Sequence, residues 1–282
     1  MNRWKIGDVT ITRVVEMEMA SKATFVIKQG TPENVRAIPW LRPNFANDEG
    51  KVIMSIHAFV VESQGRRIVV DTCLGNDKKR AFPGWNMLQT GFLKDLEQAG
   101  FAPGSITDVA CTHLHVDHVG WNTMLVGGKW IPTFPRARYL FERAEWEHWS
   151  KVEEEFTRDP IDDSVRPIVD AGLADLVASD HQLTSEVRFE PTPGHTPGHV
   201  SVRISSKGAE AVITGDLMHH PMQMVHPEWG SPFDFNPPQA IQTRRDFLAR
   251  YGDKPVLVMG THFATPSAGH IVRDGDSWRF EV

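Results

Sequence analysis

The chain has 282 residues, of which 30 are basic and 36 acidic, so that its formal net charge is -6. Hydrophobic residues make up 40% and charged residues 23% of the sequence, a balance that excludes a disordered, collagenous or membrane protein. No apolar run approaches the roughly 18 residues that a membrane span needs, so a membrane is not an expected partner. The mild acidity, together with the lack of a Lys/Arg run, argues against nucleic acid as a partner.

Cysteine usage and the N-terminal residues indicate the compartment. The two cysteines, Cys73 and Cys111, cannot make a disulfide framework. The chain opens with alternating charged and apolar side chains, where a secretory peptide would be continuously apolar. If no leader has been removed, the expected location is cytoplasmic.

The first third of the chain is predicted to be rich in β-strands. Residues 5–16 and 52–63 alternate or run apolar and contain many β-branched side chains. Residues 67–70 continue the second run, and the intervening Gln64-Gly65 predicts a hairpin turn.

Strands and helices alternate in the rest of the chain. Apolar residues recur at helical spacing over 88–99, with a stop expected at Gly100, and residues 108–111 are typical of a short buried strand. The same criteria predict further strands at 137–141, 186–190, 199–204, 211–214 and 255–259. They predict further helices at 143–149, 171–178 and 238–251. This alternation indicates a layered α/β fold, and since no linker divides the sequence we expect one domain over residues 1–282.

Three predicted connections are long: residues 17–50, which form an N-terminal extension, and residues 76–87 and 218–236. Loops of this length are uncommon unless they cover a site. They carry aromatic and methionine side chains, namely Trp40, Phe45, Phe82, Trp85, Met87, Met222, Met224, Trp229 and Phe233. Any one of these more often packs its loop onto the protein body, but as a set they predict pocket walls. The pocket candidates are Trp40, Phe82, Trp85, Met87, Trp121, His220 and Phe263. A homodimer that covers apolar loop residues is also expected.

The most informative stretch is Thr112-His113-Leu114-His115-Val116-Asp117-His118, directly after a predicted buried strand. At a strand end, alternation places His113 and His115 on the same side. Asp117 and His118 follow in the next turn, where they can face a second centre. Four ligand-type side chains within six residues are too many for one tetrahedral zinc that also holds water, but they suit two adjacent metal ions.

Three further ligand candidates each lie at the end of a predicted strand. They are a histidine in the Pro193–His199 segment (PGHTPGH), Asp216 after an apolar strand, and His262 in a similar position. Chemistry alone does not separate His195 from His199. A lone histidine is more often structural than a ligand, and an aspartate after an apolar strand, such as Asp216 or Asp71, often caps the next turn. Their occurrence together favours a metal site.

The ordered motifs HxHxDH, PGHTPGH, GD and GTH resemble those of the metallo-β-lactamase superfamily, and together with the preceding Asp71 they cover the chain as far as His262. The resemblance implies an α/β fold of the four-layer αβ/βα sandwich type, with metals at one edge of the sheets. By position, His113, His115 and His195 would hold the first metal. Asp117, His118 and His262 would hold the second, and Asp216 would bridge the two. Asp71 would orient a metal-bound histidine.

Within the superfamily the chain looks most like the lactonase and methyl-parathion-hydrolase-like branch. It departs from the best-known acyl-homoserine-lactone lactonases, which have a tyrosine three residues after the bridging aspartate, where this chain has His219. If the substrate is a lactone, either His219 or His220 would have to polarise its carbonyl, or the metal would do so alone.

These features predict a hydrolase with two divalent metal ions, preferably zinc, with iron, manganese and cobalt left open. A metal-bridging hydroxide would attack a carbonyl carbon, and Asp117 would pass a proton to the leaving alkoxide. The catalytic candidates are Asp117, Asp216 and His219.

The preferred substrate is a small apolar ester, above all a lactone. The main alternative is a phosphotriesterase of the methyl-parathion-hydrolase type, since the same metals can attack phosphorus. A β-lactamase and a di-iron redox protein rank lower, as does a protein that binds metal and ligand without catalysis.

Overall fold

The computed structural model describes residues 2–153 and 159–282 of the chain. The strands in this part of the chain are β1 (Arg3–Ile6), β2 (Val9–Ser21), β3 (Val52–Ser63), β4 (Arg66–Val70), β5 (Asp108–Ala110), β6 (Thr123–Val126), β7 (Lys129–Pro132), β8 (Arg138–Glu142), β9 (Ala174–Val177), β10 (Val187–Pro191), β11 (Val200–Ser206), β12 (Ala209–Ile213), β13 (Val256–Met259), β14 (Ala268–Asp274) and β15 (Ser277–Glu281). Seven of them form one sheet in the order β1-β2-β3-β4-β5-β8-β9, six form a second sheet in the order β10 to β15, and β6 pairs with β7.

The helices lie mainly between the later strands. They are α1 (Pro32–Arg36), α2 (Phe92–Gln98), α3 (Val116–Val119), α4 (Arg143–Trp149), α5 (Arg166–Asp170), which follows a π-helical turn at Ile161–Val165, α6 (Met222–Val225) and α7 (Pro237–Tyr251). Among the described residues, no helix has the length and apolarity needed to cross a membrane.

Side-chain alternation along the strands explains why the two sheets stack. In β3, Phe59 belongs to the core between the sheets, whereas its neighbour Val60 packs against the outer helices. In β12, Ile213 faces the core between the sheets and Val212 faces the opposite way, towards α7. Each sheet therefore has one face buried against the other sheet and one face covered by helices. This arrangement confirms the predicted four-layer αβ/βα sandwich.

The two outer layers are built differently. Side chains of α2, α4 and α5 cover the first sheet, while α6 and α7 cover the second. The segment 23–46 also packs on the outer face of the second sheet, through buried side chains that include Ile27, Leu41 and Phe45. Much of the predicted N-terminal extension is therefore part of a packed layer.

The N-terminal strand prediction needs two corrections. Residues 5–16 form parts of two strands, because the chain turns at Gly7, whose φ is +58°, and β1 then pairs with β2. The loop predicted for residues 17–50 is wrong over its first five residues, since β2 continues to Ser21 and pairs with β3 as far as Val52. Backbone pairing with a long neighbour extends β2 although its exposed end lacks an apolar pattern.

The helix predicted at 171–178 is also wrong. Residues 174–177 form β9, which pairs in parallel with β8 from Tyr139 onward. A short apolar run does not distinguish a helix from a strand. These residues form a strand because they pair with β8, which would otherwise be the edge of the sheet. The strands β6, β7, β14 and β15 were not predicted from the sequence. The helix predicted at 88–99 forms over Phe92–Gln98 and ends before Gly100, whose φ is +98°.

Gly120 marks a close approach between backbone segments, and a side chain there is expected to be costly. A Cβ atom at this position would lie 1.9 Å from the carbonyl carbon and oxygen of Leu74. Gly120→Ala should therefore lower the free energy of unfolding by about 2 kcal/mol or more, as overpacking does. Urea unfolding of the metal-free protein measures the change.

Gly104→Ala provides the matched control, because no atom lies within 4 Å of its added Cβ. Its effect should stay within about 0.5 kcal/mol. Equal effects of the two substitutions would contradict the proposed close approach.

Candidate metal centre

The ligand candidates occupy loops that leave strand ends at one edge of the sandwich. His113, His115, Asp117 and His118 follow β5 of the first sheet. In the second sheet, the parallel strands β12 and β13 end just before Asp216 and His262, and His195 lies in the loop between β10 and β11. Parallel strands place the residues after them at the same edge, and the two sheets bring their edges together.

The first group consists of His113, His115 and His195, whose ligand atoms lie within 4.8 Å of one another. The Nε2 atom of His195 is 3.0 Å from Nδ1 of His115. His113 and His195 are almost completely buried. Three imidazoles that converge in this way are a typical ligand set for zinc and related divalent metals.

The second group consists of Asp117, His118 and His262. The Nε2 atoms of His118 and His262 are 3.3 Å apart. The carboxylate oxygens of Asp117 lie 3.6 Å from His118 Nε2 and 3.5 Å from His262 Nε2. A second ion with two imidazole ligands and one carboxylate ligand fits this group.

The carboxylate of Asp216 lies between the two groups. Its Oδ2 atom is 3.8 Å from His113 Nε2 and 3.6 Å from His195 Nε2. Its Oδ1 atom is 3.4 Å from His118 Nε2 and 3.1 Å from His262 Nε2. One oxygen therefore faces each group, as a bridging ligand requires.

The buried atoms of the site also fit a cation. Both His113 Nε2 and Asp216 Oδ1 are buried without a hydrogen-bond partner, an arrangement that proteins avoid unless something else satisfies the atom. The donor set of imidazole nitrogens and carboxylate oxygens suits zinc, iron or manganese. The residues present thus fit divalent metal ions.

Burial and neighbouring charges divide the histidines into two classes. Burial lowers the pKa of His113 and His115 well below the usual value, and it lowers the pKa of His195 to about 4. Burial also opposes protonation of His118 and His262, but the nearby carboxylates of Asp216 and Asp117 together outweigh it, with Asp71 contributing at His118, so that the pKa of His118 lies well above normal and that of His262 rises to about 8. A metal ion in the second group would displace these protons.

The sequence profile described as the metallo-beta-lactamase superfamily matches residues 53–277 of the chain. The chain belongs to this superfamily. The resemblance inferred from the motifs is therefore confirmed, together with the fold that it implied.

Several curated relatives are N-acyl homoserine lactonases. The chain is 28% identical over 118 residues to one from Bacillus sp. and 25% identical over 118 residues to one from Bacillus cereus, in each case over 42% of this chain and 40% of the relative. The chain thus spans about 40% of the length of the curated relatives it matches.

Two solved structures share the fold over nearly the whole chain. One is AidC, a dizinc quorum-quenching lactonase in complex with a product, with a TM-score of 0.80 and 21% identity over 99% of this chain and 96% of that chain. The other is the hydrolase AbOPH of the beta-lactamase superfamily, with a TM-score of 0.80 and 24% identity over the same shares.

Asp71 contacts both the histidine-rich loop (residues 112–118) and one of its side chains. Its carboxylate accepts hydrogen bonds from the backbone N–H of Thr112 at 2.7 Å and from His118 Nδ1 at 2.9 Å. The Thr112 hydroxyl donates to Asp71 at 2.9 Å and lies 3.1 Å from His113 Nδ1. Asp71 is therefore placed to orient His118 directly and His113 through Thr112.

The structure separates His195 from His199. His199 Nε2 accepts the backbone N–H of Asp216 at 2.8 Å, and its Nδ1 donates to the carbonyl of Thr192 at 3.0 Å. Both ring nitrogens of His199 are therefore occupied. His195 instead directs Nε2 towards the first group of ligands.

A partner of His195 escaped the sequence analysis. Asp234 Oδ1 lies 3.0 Å from His195 Nδ1, while its Oδ2 accepts from the Ser231 N–H at 3.0 Å and from Arg244 at 3.4 Å. Burial resists ionisation of Asp234, but His195 and Arg244 outweigh it and lower its pKa to about 2. No local motif marks this residue, since it lies 39 positions from His195 in the chain.

Of the adjacent histidines His219 and His220, only His219 lies among the candidate ligands. Its Nε2 lies 3.3 Å from Asp216 Oδ2, and its ring centroid is 4.9 Å from that of His195. His220 points elsewhere, with Nε2 at 2.8 Å from the Phe45 carbonyl and Nδ1 accepting the Met222 N–H. The prediction that His220 lines the pocket is therefore wrong, because backbone groups occupy both of its ring nitrogens.

Two further pocket predictions are wrong because the side chains belong to the core. Trp121 donates its indole N–H to Glu16 at 2.7 Å and stacks on Phe92. Phe263 is 0% exposed and packs between Phe45 and Phe280. Neither residue forms a wall that a ligand could reach.

The remaining pocket candidates lie nearer the surface. Met87 is 48% exposed, and Trp40 is partly buried against the outer layer of the second sheet. Phe82 and Trp85 meet two aromatic residues from the other long loops. We call this set the aromatic cluster; it consists of Phe25, Phe82, Trp85 and Phe233.

The aromatic cluster adjoins the metal centre along the chain. Phe233 directly precedes Asp234, the partner of His195, and the backbone N–H of Phe235 donates to the His195 carbonyl at 2.9 Å. Phe25, which is 41% exposed, was not singled out from the sequence. The three long connections therefore meet at one apolar surface beside the ligand cluster.

Asp234→Asn should weaken metal binding while the fold is retained. The amide keeps the size of the side chain but removes the negative charge that holds the His195 ring, and loss of such a partner typically costs about 10–100-fold in metal affinity. Competition with a chelator measures zinc affinity. Asp246→Asn, on the exposed face of α7, should leave the affinity unchanged. An Asp234 variant with unaltered affinity would show that this contact does not support the metal.

Proposed function

We propose that the protein is a hydrolase that uses two divalent metal ions, preferably zinc, and opens small apolar lactones. The observation that carries the proposal is the position of the Asp216 carboxylate, with one oxygen towards each group of ligands. Ions bound in these two groups would supply an activated water and polarise the bond to be hydrolysed. The lactonase names of the curated relatives support this activity.

The residues of the chain have separable tasks in this proposal. Asp117 is the more exposed of the two carboxylates, since its side chain is 13% exposed and that of Asp216 is 5%. It can therefore receive a proton and return it to the leaving alkoxide. His219 lies beside Asp216 and His195, where its Nε2 can hydrogen-bond to a carbonyl oxygen.

The aromatic cluster favours an apolar substituent on the substrate. Phe25, Phe82 and Trp85 pack against one another at the surface in tilted and edge-to-face contacts, and Phe233 extends the cluster towards His195. Binding of an acyl chain or aryl group against such rings is favourable by about 25 cal/mol per Å² of apolar surface removed from water.

The predicted homodimer and cytoplasmic location stay predictions.

A substrate panel tests the proposal directly. Zinc-loaded protein is assayed with N-acyl homoserine lactones, simple lactones, aryl esters, phosphotriesters and β-lactams. The highest kcat/KM is expected for a lactone. Preference for phosphotriesters would promote the methyl-parathion-hydrolase-type alternative, and no turnover of any ester or lactone by protein that carries two metals would overturn the proposal.

Asp216→Ala should abolish binding of two metals and lower kcat/KM by at least ~100-fold, because among the described residues it removes the only carboxylate that faces both groups. Metal analysis after dialysis and steady-state kinetics measure the two effects. A variant that kept two metals and a near-normal rate would remove Asp216 from the bridging role.

His219→Phe should leave the metal content at two per chain and lower kcat about 10²-fold or more, as loss of a hydrogen-bond donor to a developing oxyanion does. His226→Phe supplies the control, since His226 is partly exposed and stacks on Trp229. If kcat of the His219 variant equals that of the wild type, the carbonyl is polarised without His219.

A further inference from the structure

A buried carboxylate outside the ligand set connects the two loops that supply the first group of ligands. Glu145 lies in the first turn of α4 and is 0% exposed. Its Oε1 atom accepts the backbone N–H of Gly198 at 2.8 Å. Its Oε2 atom accepts the backbone N–H of Leu114 at 3.2 Å and the indole N–H of Trp149 at 2.7 Å.

The two backbone contacts fall inside the ligand-bearing loops. Leu114 lies between His113 and His115 in the histidine-rich loop. Gly198 lies three residues after His195 in the segment 192–199, which we call the proline-glycine loop. The carboxylate therefore joins the loop that carries two ligands of the first group to the loop that carries the third.

The indole contact reaches the ligands by a second route. The ring of Trp149 packs edge-on against the His115 imidazole, with 5.2 Å between the centroids. Because Glu145 accepts the hydrogen bond from the Trp149 indole, it also restricts the position of the ring against which His115 packs. Nδ1 of His115 lies 3.0 Å from Nε2 of His195, and such a ligand set tolerates displacements of only about 0.5 Å.

The proline-glycine loop is shaped to approach this carboxylate. A Cβ atom on Gly198 would lie 2.0 Å from Glu142 Oε2 and 2.9 Å from the Glu145 backbone nitrogen. Glu142 is itself fixed as the cap of α4, where it accepts from the N–H groups of Ala144 and Glu145. Glycine at position 198 therefore allows the loop to lie against the start of α4.

We propose that Glu145 is a positioning residue that holds the histidine-rich loop and the proline-glycine loop in register, and thereby sets the metal affinity of the first group, His113, His115 and His195. The inference rests on the metal centre of the proposed function. It assigns to Glu145 no contact with substrate or metal. Its effect should be confined to the first group, because the two histidines of the second group, His118 and His262, are held by other contacts.

Those other contacts are independent of Glu145. His118 is oriented by Asp71, and His262 donates its Nδ1–H to the Ser55 carbonyl at 3.0 Å. A general loss of structure would affect both groups, whereas loss of the Glu145 link should affect one. This difference provides a selective test.

Glu145→Gln is the variant that tests the link. Glutamine keeps the volume, but its NH₂ group would face N–H donors, so at least one of the three hydrogen bonds is lost and a buried donor is left unpaired. Affinity for one metal should fall by about 10-fold or more, while the second metal remains bound. Glu147→Gln, the same change on an exposed position of α4, should bind both metals as the wild type does.

Zinc per chain after dialysis against a graded chelator measures the affinities. The ¹⁵N spectra of the histidine rings show which group has lost its ion. The expected result is release from His113, His115 and His195 with His118 and His262 still coordinated. Unchanged affinity for both metals, or preferential release from His118 and His262, would overturn the inference.

Amide hydrogen exchange in the metal-free wild type keeps the test available if Glu145→Gln does not fold. The N–H groups of Leu114 and Gly198 should exchange at least ~100-fold more slowly than those of exposed loop residues such as Gly128. Fast exchange at either position would contradict the link. Since neither experiment uses substrate, absence of lactone turnover would count against the proposed function alone.

Discussion

The rest of the site depends on one constraint, which is that a buried carboxylate must satisfy two sets of imidazoles at the same time. Oδ1 of Asp216 lies 3.1 Å from His262 Nε2, and its Oδ2 lies 3.6 Å from His195 Nε2. Burial resists its ionisation, but His262, His118 and His219 outweigh that cost and hold its pKa well below the usual range. Charge buried in this way is tolerated only when it is compensated. Cations at this position would compensate the carboxylate and bind Nε2 of His113, which otherwise lacks a hydrogen-bond partner.

The contacts around the ligands show how the fold meets this constraint. Asp71 fixes His118, Asp234 fixes His195, and the Ser55 carbonyl fixes His262. Each of these contacts comes from a segment distant in sequence from its histidine. The ring orientations therefore depend on tertiary contacts and not on any one loop. The contact of His262 also requires both sheets to be in their final positions, because Ser55 lies in β3 of the first sheet and His262 follows β13 of the second.

That these seven candidate ligands converge could be predicted from the sequence, because four of them lie within six residues and the others follow strand ends. The partner Asp234 could not be predicted, since its contact with His195 arises only when the loop before α7 folds back. The lining of the pocket was predicted less well than the convergence of these side chains. Trp121 and Phe263 have the residue types of a ligand-binding wall, but core packing and hydrogen bonding use the same residue types.

Elements with a strong periodic pattern were predicted correctly, whereas strands that form by pairing with the edge or the end of a neighbouring strand were not. The strand at β3 and the helix at α7 were predicted within a residue or so, because each has a long buried face. By contrast, residues 174–177 form a strand only because β8 has an open edge beside them. The end of β2 likewise depends on its pairing with β3. Pairing partners are tertiary information that a local pattern does not contain.

The origin of the ligands has a consequence for the integrity of the molecule. His113, His115, Asp117 and His118 follow a strand of the first sheet, whereas His195, Asp216 and His262 belong to the second. Neither half of the sandwich therefore contains a complete coordination sphere. Ions held there would connect the two halves through metal–ligand bonds. Separation of the sheets by heat, denaturant or mechanical force would then have to break those bonds as well.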